Sequence, residues 1–132
     1  MLFYSFIYVA LSAWILVKLS INVIIERRKN KVSFGDDGNR VLLRRIRAHG
    51  NFIEYTPIFL ISLIGIEWLA YSNNIPFYLF YINFLGTLFI VGRIFHILSL
   101  YQKKILYRKI GMKTTFISLR INALVLIFLV IY

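Results

Sequence analysis

Asn39–Pro57 reads NRVLLRRIRAHGNFIEYTP, and it is the one stretch where many polar and charged residues enter a long apolar helix. At about 100° per residue, a helix here places five polar side chains within an arc of roughly 80°. This polar stripe consists of Arg40, Arg44, Arg47, Asn51 and Glu54, with Tyr55 beside it. Guanidinium groups suit carboxylates and phosphates, and a carboxylate accepts hydrogen bonds from an amine. The stripe therefore suits a small anionic ligand that carries an amine. It equally suits a basic face at a membrane surface, with Glu54 as an internal ion-pair partner.

The composition indicates an integral membrane protein. The chain has 132 residues, of which 60% are hydrophobic, and soluble domains are nearer half apolar. It has no cysteine and two histidines, so disulfides and thiolate metal sites are excluded and no metal centre is predicted. The net charge of +11 is explained by basic loops and anionic lipid headgroups. No aromatic-basic RNA motif is present, so no nucleic-acid partner is predicted.

The apolar segments predict an all-α membrane protein, a bundle of four transmembrane helices in a single domain over residues 1–132. The predicted spans cover about residues 2–25, 41–71, 77–100 and 114–132. Polar loops are predicted over 26–39 and 101–113, and the first ends in a turn. Asp36, Asp37 or Asn39 is expected to cap the second helix.

The basic loops predict the orientation of the bundle. Loops one and three contain nine of the sixteen Lys and Arg, four more lie at the start of the second helix, and the turn between the second and third spans contains none. The positive-inside rule places both loops in the cytoplasm and both termini outside. Arg47, Asn51, Glu54, Arg93 and Arg108 then lie at one depth on the cytoplasmic side, although they come from three segments. Topology alone does not require Asn51, Glu54 and Arg93 at that depth, so their convergence favours a site.

The third span contains one charged residue, Arg93. An arginine inside a membrane is costly and is usually functional or paired. Glu54 is the expected partner, because antiparallel second and third helices bring the two to similar depths. His96 follows one turn later and is either a ligand-binding residue or a packed core histidine.

Basic residues lie inside the first span and just after it. Arg27 and Arg28 follow it directly, where they either close over a ligand held by the second helix or serve as topology charges. Lys18 lies inside the span. Its amine is expected to extend toward the headgroups, with the bundle interior as the alternative.

Two segments resemble the MAPEG family, the membrane-associated proteins in eicosanoid and glutathione metabolism. Arg45–Pro57, RIRAHGNFIEYTP, matches every fixed position of its second-helix pattern R-A-H-x-N-x-x-E-x-x-P. Val91–Leu100, VGRIFHILSL, is similar to its third-helix G-R-x-x-H segment. The four spans, the length and the Gly35–Gly38 turn also resemble the small bacterial members.

The resemblance implies a homotrimer in the bacterial inner membrane. It implies that glutathione binds between subunits near the cytoplasmic face, and that lipophilic electrophiles, hydroperoxides or lipids arrive from the bilayer. By position, the implied glutathione-binding residues are Arg28, Arg47, Asn51, Glu54, Tyr55 and Arg93. Further candidates are Arg27, Arg44, His96 and Tyr101. The implied catalytic residue is Arg108, with Lys109 and Arg120 as alternatives because the alignment is poor there.

The implied function is a glutathione transferase or peroxidase. One departure bears on it: family enzymes have a tyrosine seven residues after the third-helix arginine, where this chain has Leu100 followed by Tyr101. This substitution favours the alternative of a non-catalytic scaffold that binds lipid or glutathione. A transporter or channel subunit is disfavoured, because the charges cluster on one side and no inverted repeat is visible.

Overall fold

The computed structural model describes residues 4–131, which form four helices. They are α1 (Ser5–Asn30), α2 (Arg40–Ser72), α3 (Tyr78–Gln102) and α4 (Ile105–Ile131). Each is long and apolar enough to cross a membrane, which agrees with the predicted four-helix membrane architecture. The predicted outer limits of the first and last spans, Leu2 and Tyr132, lie outside the described residues.

The start of α2 is fixed by a capping side chain in the loop before it. The Asn39 side chain accepts hydrogen bonds from the backbone N–H groups of Val41 and Leu42, at 2.9 and 3.1 Å. Asn39 is therefore the N-cap among the three predicted candidates. The first loop is shorter than predicted, because α1 continues to Asn30 and ends where Lys31 adopts a left-handed conformation (φ 55°). Arginine and lysine have high helix propensity, so α1 continues through Arg27, Arg28 and Lys29 beyond the end of its apolar segment.

The predicted third loop, residues 101–113, is wrong. Only Lys103 and Lys104 separate α3 from α4, with Lys103 in the left-handed conformation (φ 60°) that ends α3. Hydropathy locates where a segment becomes apolar, whereas lysine, arginine and leucine form helix equally well outside the membrane. Arg108 therefore lies in the first turn of α4 rather than in a loop.

Aromatic packing and close helix contact hold α3 against its neighbours. Phe59 of α2 and Phe89 of α3 are fully buried and stack with ring centroids 3.8 Å apart. The backbones of α3 and α4 approach each other at Gly92 and Gly111. A Cβ on Gly111 would lie 2.7 Å from the Gly92 carbonyl oxygen and 2.7 Å from the His96 nitrogen. Small residues permit such approach in membrane helices, and here they fix the spacing of His96 and Arg108.

Polar side chains pair inside the bundle. The Asn122 amide, which is fully buried on α4, donates to the Ser62 hydroxyl of α2 at 3.0 Å and accepts from the Tyr81 hydroxyl of α3 at 3.1 Å. In hydrocarbon an unpaired amide is costly, so this pairing ties three helices together at one level.

Glu67 has a structural role at the opposite end of the bundle from the basic loops. Its carboxylate is 1% exposed and accepts hydrogen bonds from the backbone N–H groups of Tyr4 and Ser5, at 2.8 and 2.9 Å. It thereby satisfies free donors at the N-terminus of α1, where negative charge is favourable.

Candidate functional site

Polar side chains from three helices meet in one cavity near the basic ends of the helices. We call it the cationic cavity; its volume is about 430 Å³. It is lined by Arg47 and Asn51 of α2, His96 and Leu100 of α3, and Arg108 of α4. Two guanidinium groups and no carboxylate line it. The arrangement therefore favours an anionic ligand that accepts hydrogen bonds.

Arg108 reaches the cationic cavity because of the close contact between α3 and α4. It lies one turn before Gly111, whose backbone packs directly against His96. The hydroxyl groups of Thr114 and Thr115 donate to the Gly111 carbonyl oxygen at 3.0 and 2.7 Å, which satisfies that oxygen locally. The alternatives Lys109 and Arg120 are exposed and do not line the cavity.

Arg93 lies beneath the cationic cavity and is 1% exposed. Its guanidinium donates to the Asn51 carbonyl oxygen at 3.3 Å, contacts the Met112 sulfur at 3.9 Å and lies 5.4 Å from the Tyr55 ring centroid. Its Nε has no hydrogen-bond partner among the described residues. An arginine buried inside a membrane helix is costly, so its position close to the cavity makes it a candidate site residue.

The predicted ion pair between Glu54 and Arg93 does not form within residues 4–131. Arg93 contacts the carbonyl of Asn51 and the ring of Tyr55, whereas Glu54 is exposed and lines a different cavity. Similar depth in the membrane is not sufficient for an ion pair. Arg93 contacts the side of α2 that carries Asn51 and Tyr55, and Glu54 is rotated away from that side about the helix axis.

The cavity that Glu54 lines, which we call the loop cavity, lies between α2 and the first loop and has a volume of about 290 Å³. Its polar lining residues are Arg27, Asp36, Arg47, Asn51 and Glu54. Arg27 donates to the carbonyl oxygens of Ser33 and Gly35 at 3.3 and 2.9 Å, which holds it across the loop. Because Arg47 and Asn51 line both cavities, they form a ridge between a cationic compartment and one that also contains carboxylates.

The remaining predicted site residues are not all brought together. Arg28 is exposed, and neither Arg28 nor Arg44 lines either cavity. Tyr55 contacts Arg93 and packs edge-on against Phe116, with centroids 5.7 Å apart. Tyr101 lies on the other side of α3, where its hydroxyl accepts from the Asn22 amide at 3.1 Å.

Two residues that position the site, Gly92 and Gly111, were not among the predicted site residues. Glycine in a membrane helix marks a place where backbones approach closely, and this pattern was available in the sequence. What it did not reveal was the pairing of these two positions, because residue 111 was assigned to a loop.

Comparisons with known proteins identify the family of the chain. The family model described as the MAPEG family matches residues 5–130, which confirms the predicted resemblance. The inner membrane protein YecN of Escherichia coli K12 is 31% identical over 120 residues, covering 91% of this chain and 87% of that protein. YecN of E. coli O6:H1 matches equally well. No solved structure matches this chain significantly.

The four spanning helices, the family match over nearly the whole chain and the similarity to an inner membrane protein lead to one conclusion. The chain belongs to the MAPEG family and is a multi-pass inner membrane protein.

Proposed function

We propose that the protein is a glutathione-dependent transferase or peroxidase that acts on lipophilic electrophiles or hydroperoxides. The observation that supports this most directly is the convergence of Arg47, Asn51 and Arg108 on the cationic cavity. These residues come from two helices that are far apart in sequence, and they surround a space of about 430 Å³ without a carboxylate.

The two cavities together suit the charges of glutathione. The tripeptide carries two carboxylates, one amine and one thiol. The guanidinium groups of Arg27 and Arg47 pair with carboxylates, and Glu54 in the loop cavity accepts from the amine. Asn51 lies on the ridge between the cavities and serves a ligand that spans both. Arg93 supports this ridge from below through the Asn51 carbonyl oxygen.

Arg108 is the residue we assign to the thiol. Lowering the pKa of the glutathione thiol from about 8.5 to about 6.5 requires about 2.7 kcal/mol of differential stabilisation of the thiolate. A positioned guanidinium supplies interaction energy of this order where water is scarce. The thiol proton passes to water, since a guanidinium already carries its full set of protons.

The thiolate then attacks the acceptor. With an electrophilic carbon, a sulfur–carbon bond forms while the leaving group departs with its electron pair. With a hydroperoxide, sulfur takes one oxygen as the O–O bond breaks, and the alkoxide takes a proton from water. The thiol of a second glutathione then attacks the sulfur of the resulting sulfenic acid, which forms the disulfide and releases water. Apolar side chains on the outer surface of the helices provide a lateral path for such acceptors.

The proposal includes a homotrimer, with glutathione between neighbouring subunits, both termini outside and the site toward the cytoplasm. The family match and the concentration of basic residues at one end of the helices support these statements. Native mass spectrometry of the detergent-solubilised protein tests the trimer, and a mass of a single chain would contradict it.

Glutathione titration of the purified protein, followed by ultraviolet absorbance of the thiolate near neutral pH, tests the central proposal. We expect a saturable thiolate signal. Arg108→Ala should retain binding within about twofold and lose conjugation by about a hundredfold or more. The matched control is Lys109→Ala, which removes the same charge from an adjacent exposed position.

Two results would contradict this assignment. Loss of binding in Arg108→Ala would make Arg108 a recognition residue. Absence of binding in the folded wild-type protein would refute glutathione as the ligand.

The amine contact is tested by Glu54→Gln. The neutral amide cannot pair with an ammonium group, so we expect the Kd for glutathione to rise about tenfold or more. Isothermal titration calorimetry measures this directly. An unchanged Kd would show that Glu54 does not contact the amine.

The alternative is a non-catalytic scaffold that binds glutathione or lipid. Leu100 favours it, because this side chain lines the cationic cavity and provides no hydroxyl group there. Binding of glutathione without a thiolate signal, and without turnover of a generic electrophile, would establish the scaffold function. Leu100→Tyr would then be the informative variant, since it restores the hydroxyl at this position.

A further inference from the structure

An apolar recess between α1 and α3, which we call the α1–α3 groove, lies away from both cavities of the proposed glutathione site. It has a volume of about 400 Å³ and is lined by one row of side chains from α1 and a parallel row from α3. Ile15 and Ile94 lie at its apolar end, Lys18 and Ile97 follow, and Asn22 and Tyr101 close the polar end. The hydrogen bond from Asn22 to Tyr101 fixes this register, so each residue of α1 lies level with the residue 79 positions later in α3.

The polar end of the groove is positively charged. The Arg45 guanidinium lies 3.6 Å from the centroid of the Tyr101 ring. Lys18 is exposed and forms no hydrogen bond or ion pair with any residue in the described range 4–131. No aspartate or glutamate lines the groove. Since an unpaired ammonium group on an apolar surface is costly, this end is suited to an anion.

The depth of Lys18 can be inferred from α2. The Ser20 hydroxyl and His49 Nε2 are 3.0 Å apart, so α1 and α2 pass each other antiparallel with residues 20 and 49 at one level. Lys18 is then level with Asn51, where the basic part of α2 ends. From this depth a lysine amine reaches the phosphate layer. Ile15 and Ile94 lie about 4.5 Å deeper, in the hydrocarbon.

We propose that the α1–α3 groove binds an anionic phospholipid, with one acyl chain along the apolar part of the two rows and the phosphate on Lys18. The apolar walls match an acyl chain, and the free ammonium group at headgroup depth matches the phosphate. This site is separate from the proposed glutathione site, which uses the opposite side of α3. Its failure would leave the glutathione proposal untouched.

The chain provides a reporter for this site. It has two tryptophans, and Trp14 lies one turn before Lys18, is 83% exposed and lines an adjoining recess that shares Lys18 and Asn22. Trp68→Phe therefore leaves a single tryptophan beside the groove. The experiment is quenching of Trp14 fluorescence in phosphatidylcholine vesicles that contain either brominated phosphatidylglycerol or brominated phosphatidylcholine.

We expect phosphatidylglycerol to associate about fivefold more strongly than phosphatidylcholine, as one lysine contact with an anionic headgroup predicts. Lys18→Gln should reduce this ratio to about one. Lys113→Gln is the matched control, because it removes one exposed lysine from α4 and should leave the ratio unchanged. Circular dichroism establishes that each variant is folded.

Three results would overturn the proposal. A ratio that is the same in Lys18→Gln and wild type would show that Lys18 does not contact the phosphate. No quenching by either lipid would show that a protein surface covers the groove. Displacement of phosphatidylglycerol by an equal amount of brominated fatty acid would show that the groove binds a free carboxylate amphiphile instead.

Discussion

Gly111→Ala should damage the candidate site without touching any of its charged groups. The added Cβ would lie 2.7 Å from the Gly92 carbonyl oxygen and 2.9 Å from the His96 Cβ. Ordinary contacts of this kind begin near about 3.4 Å, so α3 and α4 must separate by roughly 0.5–1 Å. Overpacking of this size costs about 1–3 kcal/mol, because backbone atoms cannot move aside as a flexible side chain can.

The same separation moves Arg108 away from His96 across the cationic cavity. A misplacement near 1 Å can reduce a catalytic rate by about a hundredfold. Unfolding in mixed detergent micelles, followed by circular dichroism, measures the stability loss, and the thiolate titration measures the effect on the site. The control is Gly65→Ala, whose Cβ meets only the end of the Leu126 side chain at 3.3 Å. A Gly111→Ala protein with wild-type stability and an unchanged thiolate signal would refute this reasoning.

Three further variants test the supporting structure. Glu67→Gln keeps one acceptor oxygen but removes the negative charge at the N-terminus of α1. The free energy of unfolding should therefore fall by about 2 kcal/mol, which thermal unfolding in detergent measures. Asn122→Ala should cost about 1–2 kcal/mol because Ser62 and Tyr81 lose their shared partner, whereas the exposed Asn73→Ala should cost little. Asn39→Ala should cost about 1 kcal/mol through loss of the cap, and hydrogen exchange should show faster opening of the first turn of α2 alone.

The sequence predicted the spanning helices well because long apolar segments are a strong pattern that tertiary contacts seldom override. It also predicted the start of α2, since Asn39 follows a turn and precedes a helical pattern. All five residues of the polar stripe lie on α2, as the helical spacing predicted. The family resemblance was likewise confirmed, because the motif of α2 contains several fixed positions.

The contacts between helices were harder to predict. Leu100 and Tyr101 are adjacent in sequence, yet a rotation of about 100° places Leu100 in the cationic cavity and Tyr101 against Asn22 on another face. Nothing in the neighbourhood of Glu67 along the chain indicates that it caps another helix. Glu54 and Arg93 matched in depth but not in rotation. Each of these depends on how helices are turned toward one another, which depth and hydropathy do not report.

The buried amide of Asn122 has a consequence for how the protein is made. When α4 enters the membrane during synthesis, α2 and α3 are already present, and each displays one hydroxyl group that the asparagine can bond. Sliding α4 by one turn would separate Asn122 from both hydroxyl groups by about 5.4 Å and leave its amide unpaired in lipid. Asn122 therefore selects one insertion depth for the last helix, and with it the height at which Arg108 emerges at the membrane surface.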